Sequence, residues 1–499
     1  MNGIMVLGTA SDTGKSFIVT AICRLLANEG YKAAPFKSQN MSNNSYVTLD
    51  GKEIGRAQGI QAEAAKTEAT QWMNPILLKP RSDMHSEVVL FGKAIKTYSG
   101  RDYRDSFYDQ GIDAILFSLK KLDELYDVIV MEGAGSPVEM NLKQRELVNM
   151  KVAELADVPA LLVADIDRGG VFASIVGTID LLPESEKKRV KGLIINKFRG
   201  DIGLFEDGKA WLEQRTGIPV LGVLPYIDGH RIEGEDSLSL SDRFSASVKD
   251  GLDIAVVKLP FLSNYTDIEP FLYEEDVSVR WISEPGRLGE PDAVIIPGTK
   301  STIHDLLFLR KSGLDKAINA YERRGGRIVG ICGGYQIMGE TLIDPDGTDT
   351  GKSGSEEKGL AIIPGHTTFL ERKLTVRTKG RLFTDESVFL EGYEIHLGMT
   401  SISAPHYTPF LRLEDGRVDG FSCENGRIIG TYLHHVFHND FWRNEWLNKI
   451  RKDKQLPLLA AVDVGNVKNK SYDELADSIK PHLDWVQLKE IIFQWRSPA

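Results

Sequence analysis

The chain has 499 residues, a net charge of −11 and three cysteines. That length allows roughly two to four domains, and the acidic balance argues against general nucleic-acid binding, which needs a basic face. No apolar run approaches the ~18 residues of a membrane span, and Cys23, Cys332 and Cys423 lack disulfide or metal-type spacing, so a reducing cytoplasm fits.

The apolar run Ile4 to Leu7 reads as a short buried strand. It leads into Gly8-Thr9-Ala10-Ser11-Asp12-Thr13-Gly14-Lys15-Ser16, and Phe17, Ile18, Ala21, Ile22, Leu25 and Leu26 follow at helical spacing. Strand, glycine loop and helix are the setting of a phosphate loop. Gly8 and Gly14 let backbone N–H groups turn toward an anion, Thr13 between them is a further nucleotide-binding candidate, and the helix start adds partial positive charge. Lys15 reaches the outer phosphates of ATP, and the Ser16 hydroxyl is placed to ligate Mg2+. Five residues separate Gly8 from Gly14, one more than in the common form.

Ala33 to Phe36 is a second short strand that ends on Lys37, a candidate substrate or phosphate contact near the phosphate loop. The polar run Ser38 to Ser45 follows, with Asn40 a candidate substrate contact. Asp127 to Gly135 is a buried strand ending on Glu132, a second candidate Mg2+ ligand. Pro159 to Asp165 is another, followed by Ile166-Asp167-Arg168-Gly169-Gly170; Asp165 and Arg168 mark a substrate or phosphate loop. Lys191 to Lys197 repeats the theme with Asn196, taken as a nucleotide contact, at its end. Pro219 to Pro225 is one more strand. Apolar runs alternating with helical stretches predict a doubly wound parallel α/β sheet, whose ligands sit at the carboxyl ends of the strands.

Between about Asp228 and Leu252 the chain turns polar, and the domain boundary is expected there. New strands follow at Asp253 to Leu259 and Asp292 to Lys300, then a helical stretch from Thr302 to Arg323. Gly330-Ile331-Cys332-Gly333-Gly334 places a cysteine between a strand and a helix, a nucleophile elbow. A nucleophilic cysteine needs a base. The β run Ile428 to Leu433 offers His434 or His435 at its end, and spacing alone does not choose between them. Asp344 to Lys358 reads as a mobile surface loop without chemistry, and the residues after Asn448 as closing helices. The expected domains are 1–235, 250–448 and a helical extension 449–499.

Taken in order, Gly8 to Asp12, Ser38 to Asn44, Glu132 to Pro137, Asp165 to Phe172, Gly330 to Gln336, Gly392 to His396 and Gly430 to His434 resemble the cobyric acid synthase family of cobalamin biosynthesis. The resemblance implies an N-terminal P-loop domain like dethiobiotin synthetase, whose loop spacing the chain shares, and a C-terminal class I glutamine amidotransferase-like α/β domain. It implies Cys332 as nucleophile, His434 as base, and Gly298 and Gly333 for the oxyanion hole. Other class I glutaminases carry a Glu two residues after this His; Val436 stands there, and Glu394 is one candidate to orient the ring. ATP, Mg2+ and glutamine are implied, with a corrinoid substrate, adenosylcobyrinic acid a,c-diamide, amidated at its b, d, e and g carboxylates through acyl phosphates. The sister a,c-diamide synthase shares both domains. A partition-type switch ATPase would carry Lys where Thr9 stands and has no use for Cys332. No oligomeric state is readable from the sequence.

Overall fold

The structure is a computed structural model that describes residues 1–82, 85–227 and 251–496. It divides into two compact units. The first takes in residues 1–42, 52–227 and 466–496, the second 43–51 and 251–465. The polar seam expected from Asp228 lies outside the described residues, apart from Gly251 and Leu252.

The first unit is built on a six-stranded parallel sheet in the spatial order Val220–Pro225, Val190–Phe198, Ala160–Asp165, Gly3–Gly8, Val128–Glu132, Ala33–Phe36. The central strands are buried along their whole length, as parallel strands covered on both faces must be. Helix Lys15–Asn28 buries Ile18, Ala21, Ile22, Leu25 and Leu26 in the core below the sheet. Because the strands are parallel, Gly8, Glu132, Asp165 and Asn196 all end on one edge. A smaller sheet, Gln39–Met41, Ile76–Ser82, His85–Leu90 and Lys93–Ser99, belongs to the same unit. Helices Val464–Ile479 and Trp485–Phe493 add Tyr472, Leu475, Ile479, Trp485 and Leu488 to this core. Residues 466–496, part of the stretch read as closing helices packed on the body, count with the first unit. Arg24 and Asp473 seal the packing with an ion pair 2.7 Å long.

The second unit has its own parallel sheet, Val277–Ile282, Leu252–Val257, Ala293–Ile296, Ile328–Ile331, Ile428–Thr431, with Phe421–Cys423 antiparallel at the edge. The stretch read as one helix from Thr302 is two, Thr302–Ser312 and Leu314–Arg323. Gly313, in the left-handed region at φ +80°, breaks it. A further sheet spans 341–419, with Gly365–Leu382 paired along its length to Phe389–Ile402. The stretch Asp344 to Lys358 is a loop over 345–354 whose two ends belong to this sheet. Thr341–Asp344 and Ser355–Lys358 pair antiparallel, and Asp344 accepts backbone hydrogen bonds from Thr348, Asp349 and Thr350. Asp349 in turn caps helix Thr302–Ser312, accepting from Thr302 and Ile303 N–H at 2.9 Å. Among the described residues no helix is long and apolar enough to cross a membrane.

One buried charge cluster decides how the second unit holds its 3-10 segment Tyr265–Tyr273. Arg443 has no exposed side-chain surface; its Nε donates to Glu274 Oε1 at 2.8 Å and its Nη1 to Phe437 O at 2.8 Å. Arg451 approaches the other Glu274 oxygen at 3.5 Å. Removing Arg443 leaves the buried Glu274 carboxylate with only the longer approach of Arg451, a loss of about 3 kcal/mol. Arg443→Met should therefore lower the thermal unfolding midpoint by several degrees. Arg215→Met, which breaks the half-exposed pair with Asp180, should change stability by less than about 1 kcal/mol. Thermal unfolding followed by circular dichroism checks both; equal, small shifts would contradict the argument.

Candidate functional site

In the first unit the phosphate loop wraps the start of helix Lys15–Asn28. Thr9 N–H donates to Val163 O at 2.9 Å, tying the loop to the neighbouring strand. Asp12 and Gly14 both have positive φ, 58° and 91°. A Cβ on Gly14 would collide with the Asn196 amide, and that amide donates to Thr13 O at 2.8 Å. Asn196 therefore braces the loop from the adjacent strand end. Lys15 curls back, its Nζ donating to Ala10 O at 3.0 Å and Gly135 O at 3.4 Å.

Glu132 is the hub. Its carboxylate is buried, yet Oε1 accepts from Ser16 Oγ at 2.8 Å and Lys37 Nζ at 2.9 Å, and Oε2 from Gln61 Nε2 at 2.6 Å. Burial opposes ionisation, but the Lys37 charge and the hydrogen bonds from Lys37, Ser16 and Gln61 outweigh it and hold the carboxyl below its ordinary range. The Ser16 hydroxyl and the Glu132 carboxylate are hard oxygen donors, the kind that suits Mg2+, and Gln61 Oε1 beside them has no partner among the described residues. Asp165 pairs with Lys197 at 2.8 Å, and Lys197 also donates to Asp12 O at 2.7 Å. Arg168, largely exposed, approaches Asp12 at 3.4 Å and Asp165 at 3.7 Å. Asn40 lies in the smaller sheet and donates to Gln58 Oε1 at 3.2 Å. Lys37, Ser16 and Glu132 are thus joined directly; Asp165, Arg168 and Asn196 gather around Asp12 and Thr13; Asn40 joins Gln58.

In the second unit Cys332 sits between strand Ile328–Ile331 and helix Gly333–Met338, at φ 52° and ψ −111°. A non-glycine residue persists there only because its surroundings over-determine it. Cys332 N–H donates to Thr431 O at 2.8 Å, and a Cβ on Gly334 would strike Ile296 O. The thiol donates to Ile395 O at 3.6 Å. Gly298 lies alongside, where a Cβ would come within 3.0 Å of His434 Cε1 and 3.8 Å of Cys332 Cβ. Gly333 follows Cys332 and packs on Thr299.

His434 has no exposed surface. Its Nδ1 pairs with Asp267 Oδ2 at 2.7 Å, and its Nε2 lies 3.5 Å from the Asn264 amide nitrogen. The ring stacks on Tyr393 at a centroid distance of 5.0 Å, and the two residues exchange backbone hydrogen bonds. Burial disfavours the charged ring, but the Asp267 carboxylate and the neighbouring Cys332 outweigh it and push His434 up to about 10. His435 gives its backbone N–H to Asp267 Oδ1 at 2.7 Å, while its ring stacks on His438. The residue facing Cys332 is therefore His434.

Asp267 is the acid that sequence reasoning missed. Glu394, the candidate offered for that role, lies elsewhere. It accepts from Arg417 at 2.9 Å, Thr378 at 2.7 Å and His396 at 3.3 Å. Burial resists its charge, but these donors bring it down to about 2. The chain signal for Asp267 was slight: an acid in Asn264-Tyr265-Thr266-Asp267, beyond the strand that opens the second half. Asn264 was missed with it. Its Oδ1 accepts from Ser45 N–H at 3.2 Å, which aims the amide nitrogen at His434.

Residues 4–238 match the CobQ/CobB/MinD/ParA nucleotide binding domain, and residues 253–442 the CobB/CobQ-like glutamine amidotransferase domain. The chain is 48% identical over 499 residues to a cobyric acid synthase of Geobacillus sp. (strain WCH70), covering 99% of this chain and 98% of that one. It is 48% identical over 497 residues to the cobyric acid synthase of Geobacillus thermodenitrificans, with 99% and 98% covered. For that of Desulforamulus reducens the figure is 45% over 502 residues, with 98% of both chains covered. With a phosphate loop in one unit and a Cys–His pair in the other, matched along nearly its full length, the chain belongs to the cobyric acid synthase family of glutamine-dependent amidating ligases.

Proposed function

We propose that this enzyme amidates the peripheral carboxylates of a corrinoid, adenosylcobyrinic acid a,c-diamide, at positions b, d, e and g, using ATP and glutamine. The observation that carries the reading is the Cys332–His434–Asp267 line in a chain that also holds the Ser16–Glu132–Lys37 cluster. One half frees ammonia; the other makes a carboxylate electrophilic enough to accept it.

Cys332 is the nucleophile. His434 takes its thiol proton while Asp267 holds the ring and balances the imidazolium. Sγ attacks the glutamine carboxamide carbon, and N–H groups around Gly298 and Gly333 receive the developing oxyanion. His434 returns the proton to the departing nitrogen, which leaves as ammonia, and water then hydrolyses the thioester to glutamate. In the first unit the phosphate loop and Lys15 orient the ATP phosphates, and the substrate carboxylate attacks the γ-phosphorus to form an acyl phosphate and ADP. Ser16 and Glu132 are the residues that would hold Mg2+, which when bound neutralises phosphate charge. Lys37, Asp165 and Arg168 line the same strand edge and serve the acceptor side. Ammonia then displaces phosphate from the acyl carbon to leave the amide. At neutral pH free ammonia is mostly ammonium, a non-nucleophile, so glutamine is the efficient donor and ammonium replaces it only in large excess.

Incubating the protein with ATP, Mg2+ and the a,c-diamide and following products by mass spectrometry tests this. Four successive amidations are expected with glutamine. Cys332→Ala should abolish the glutamine-dependent reaction and leave that with ammonium near wild-type rate. ATP turnover without amidation would overturn the corrinoid assignment. Asp267→Asn should lower glutaminase kcat/KM by on the order of 10²–10⁴. The same variant has a stability signature. Because folding raises the His434 pKa from 6.5 to about 10, the pair's stabilisation is full below pH 6.5 and fades as pH rises through about 10. The gap in melting temperature between wild type and Asp267→Asn should narrow across that window. A gap that widens with pH would contradict a charged His434.

A further inference from the structure

Helix Arg56–Ala64 is unusual in what it buries. Gln58 and Gln61 are at most 1% exposed, although nothing in an amphipathic pattern calls for glutamine amides in the interior. Gln58 is accounted for in part by Asn40. Gln61 is not. Its Nε2 donates to Glu132 Oε2 at 2.6 Å, while its own Oε1, fully enclosed, has no hydrogen-bond partner among the described residues. Buried amide oxygens are nearly always paired, so this one points to something that arrives with the ligand.

The surroundings say what that is. Gln61 stands next to a carboxylate whose other oxygen faces the Ser16 hydroxyl of the phosphate loop. A carbonyl oxygen repels phosphate, which rules out direct contact with the nucleotide's anionic groups. It accepts well from metal-bound water, and Mg2+ usually keeps several waters when it binds at a phosphate site.

We propose that Gln61 is a positioning residue of the Mg2+ site: its amide nitrogen fixes the Glu132 carboxylate with Oε1 toward Ser16, and its amide oxygen accepts a hydrogen bond from a water on the metal. This rests on the phosphate-loop reading of the first unit. It assigns to helix Arg56–Ala64 a share in metal affinity that neither Ser16 nor Glu132 supplies alone. Groups of this kind around a metal, once removed, weaken its binding 10–100-fold in typical cases.

The test uses the full chain loaded with a non-hydrolysable ATP analogue and titrated with Mg2+ by calorimetry. Gln61→Met, which keeps length without polar atoms, should weaken Mg2+ binding about tenfold or more. Affinity for the analogue in chelator should stay within about twofold of wild type. Gln61→Ala should show the same split and decides the matter if Gln61→Met does not fold. Mg2+ affinity within twofold of wild type in the folded variants would mean that Gln61 holds only an internal water, and would overturn the proposal. An equal loss of metal-free nucleotide affinity would overturn it too, by assigning Gln61 to the nucleotide. If Mg2+ fails to tighten analogue binding in wild type as well, the phosphate-loop reading falls and takes this one with it.

Discussion

A carboxylate removed from water has to be paired, and each half of this chain is arranged around one that is. In the first, Glu132 is buried at the end of a central strand and answered by a lysine, a serine and a glutamine. In the second, Asp267 is buried beneath His434 and answered by the ring and by His435 N–H. Burial works against the Glu132 charge, and Lys37, Ser16 and Gln61 offset it. The partners of both acids come from distant parts of the chain, so the folded state is what holds each charge. A parallel sheet leaves one edge for such groups, because its strands are covered on both faces and only their ends meet loops.

The elements that could be read from the chain are those whose signal is contiguous. Gly8 to Ser16 and Gly330 to Gly334 carry strand, turn and helix start within a dozen residues, and both stand where the pattern put them. The doubly wound sheet of the first half follows from apolar runs alternating with helices. Asp267 left no such trace, since its partner His434 is 167 residues away. Glu394 drew notice because it shares a short motif with His396, yet strand alternation turns it toward Arg417 and Thr378. Gln61 hides in a helix where a glutamine looks like surface. The sheet over 341–419 was overlooked for another reason. Its long strands, such as Gly365–Leu382, mix buried and exposed positions and lack the apolar density of the parallel cores.

The two acids also differ in what they ask of their neighbours. Glu132 takes its three donors, Ser16, Lys37 and Gln61, from three separate places in the chain. Asp267 is locked, one oxygen on a ring nitrogen and one on a backbone amide, with Tyr393 stacked against the imidazole. On the proposed mechanism His434 must return to the same tautomer each cycle, and that rigidity favours it.

The course of the chain through the two units has a consequence for how the protein can be divided. Residues 43–51 count with the second unit and 466–496 with the first. A single cut in the polar stretch after residue 227 therefore yields no self-sufficient piece. The later fragment would lack Ser45, whose N–H orients Asn264 beside His434. The earlier one would lack Asp473, Tyr472 and Trp485, which close its core. The two activities are thus interleaved rather than strung in tandem, and recombination that swaps one half for a relative's must carry these two short exchanged segments with it.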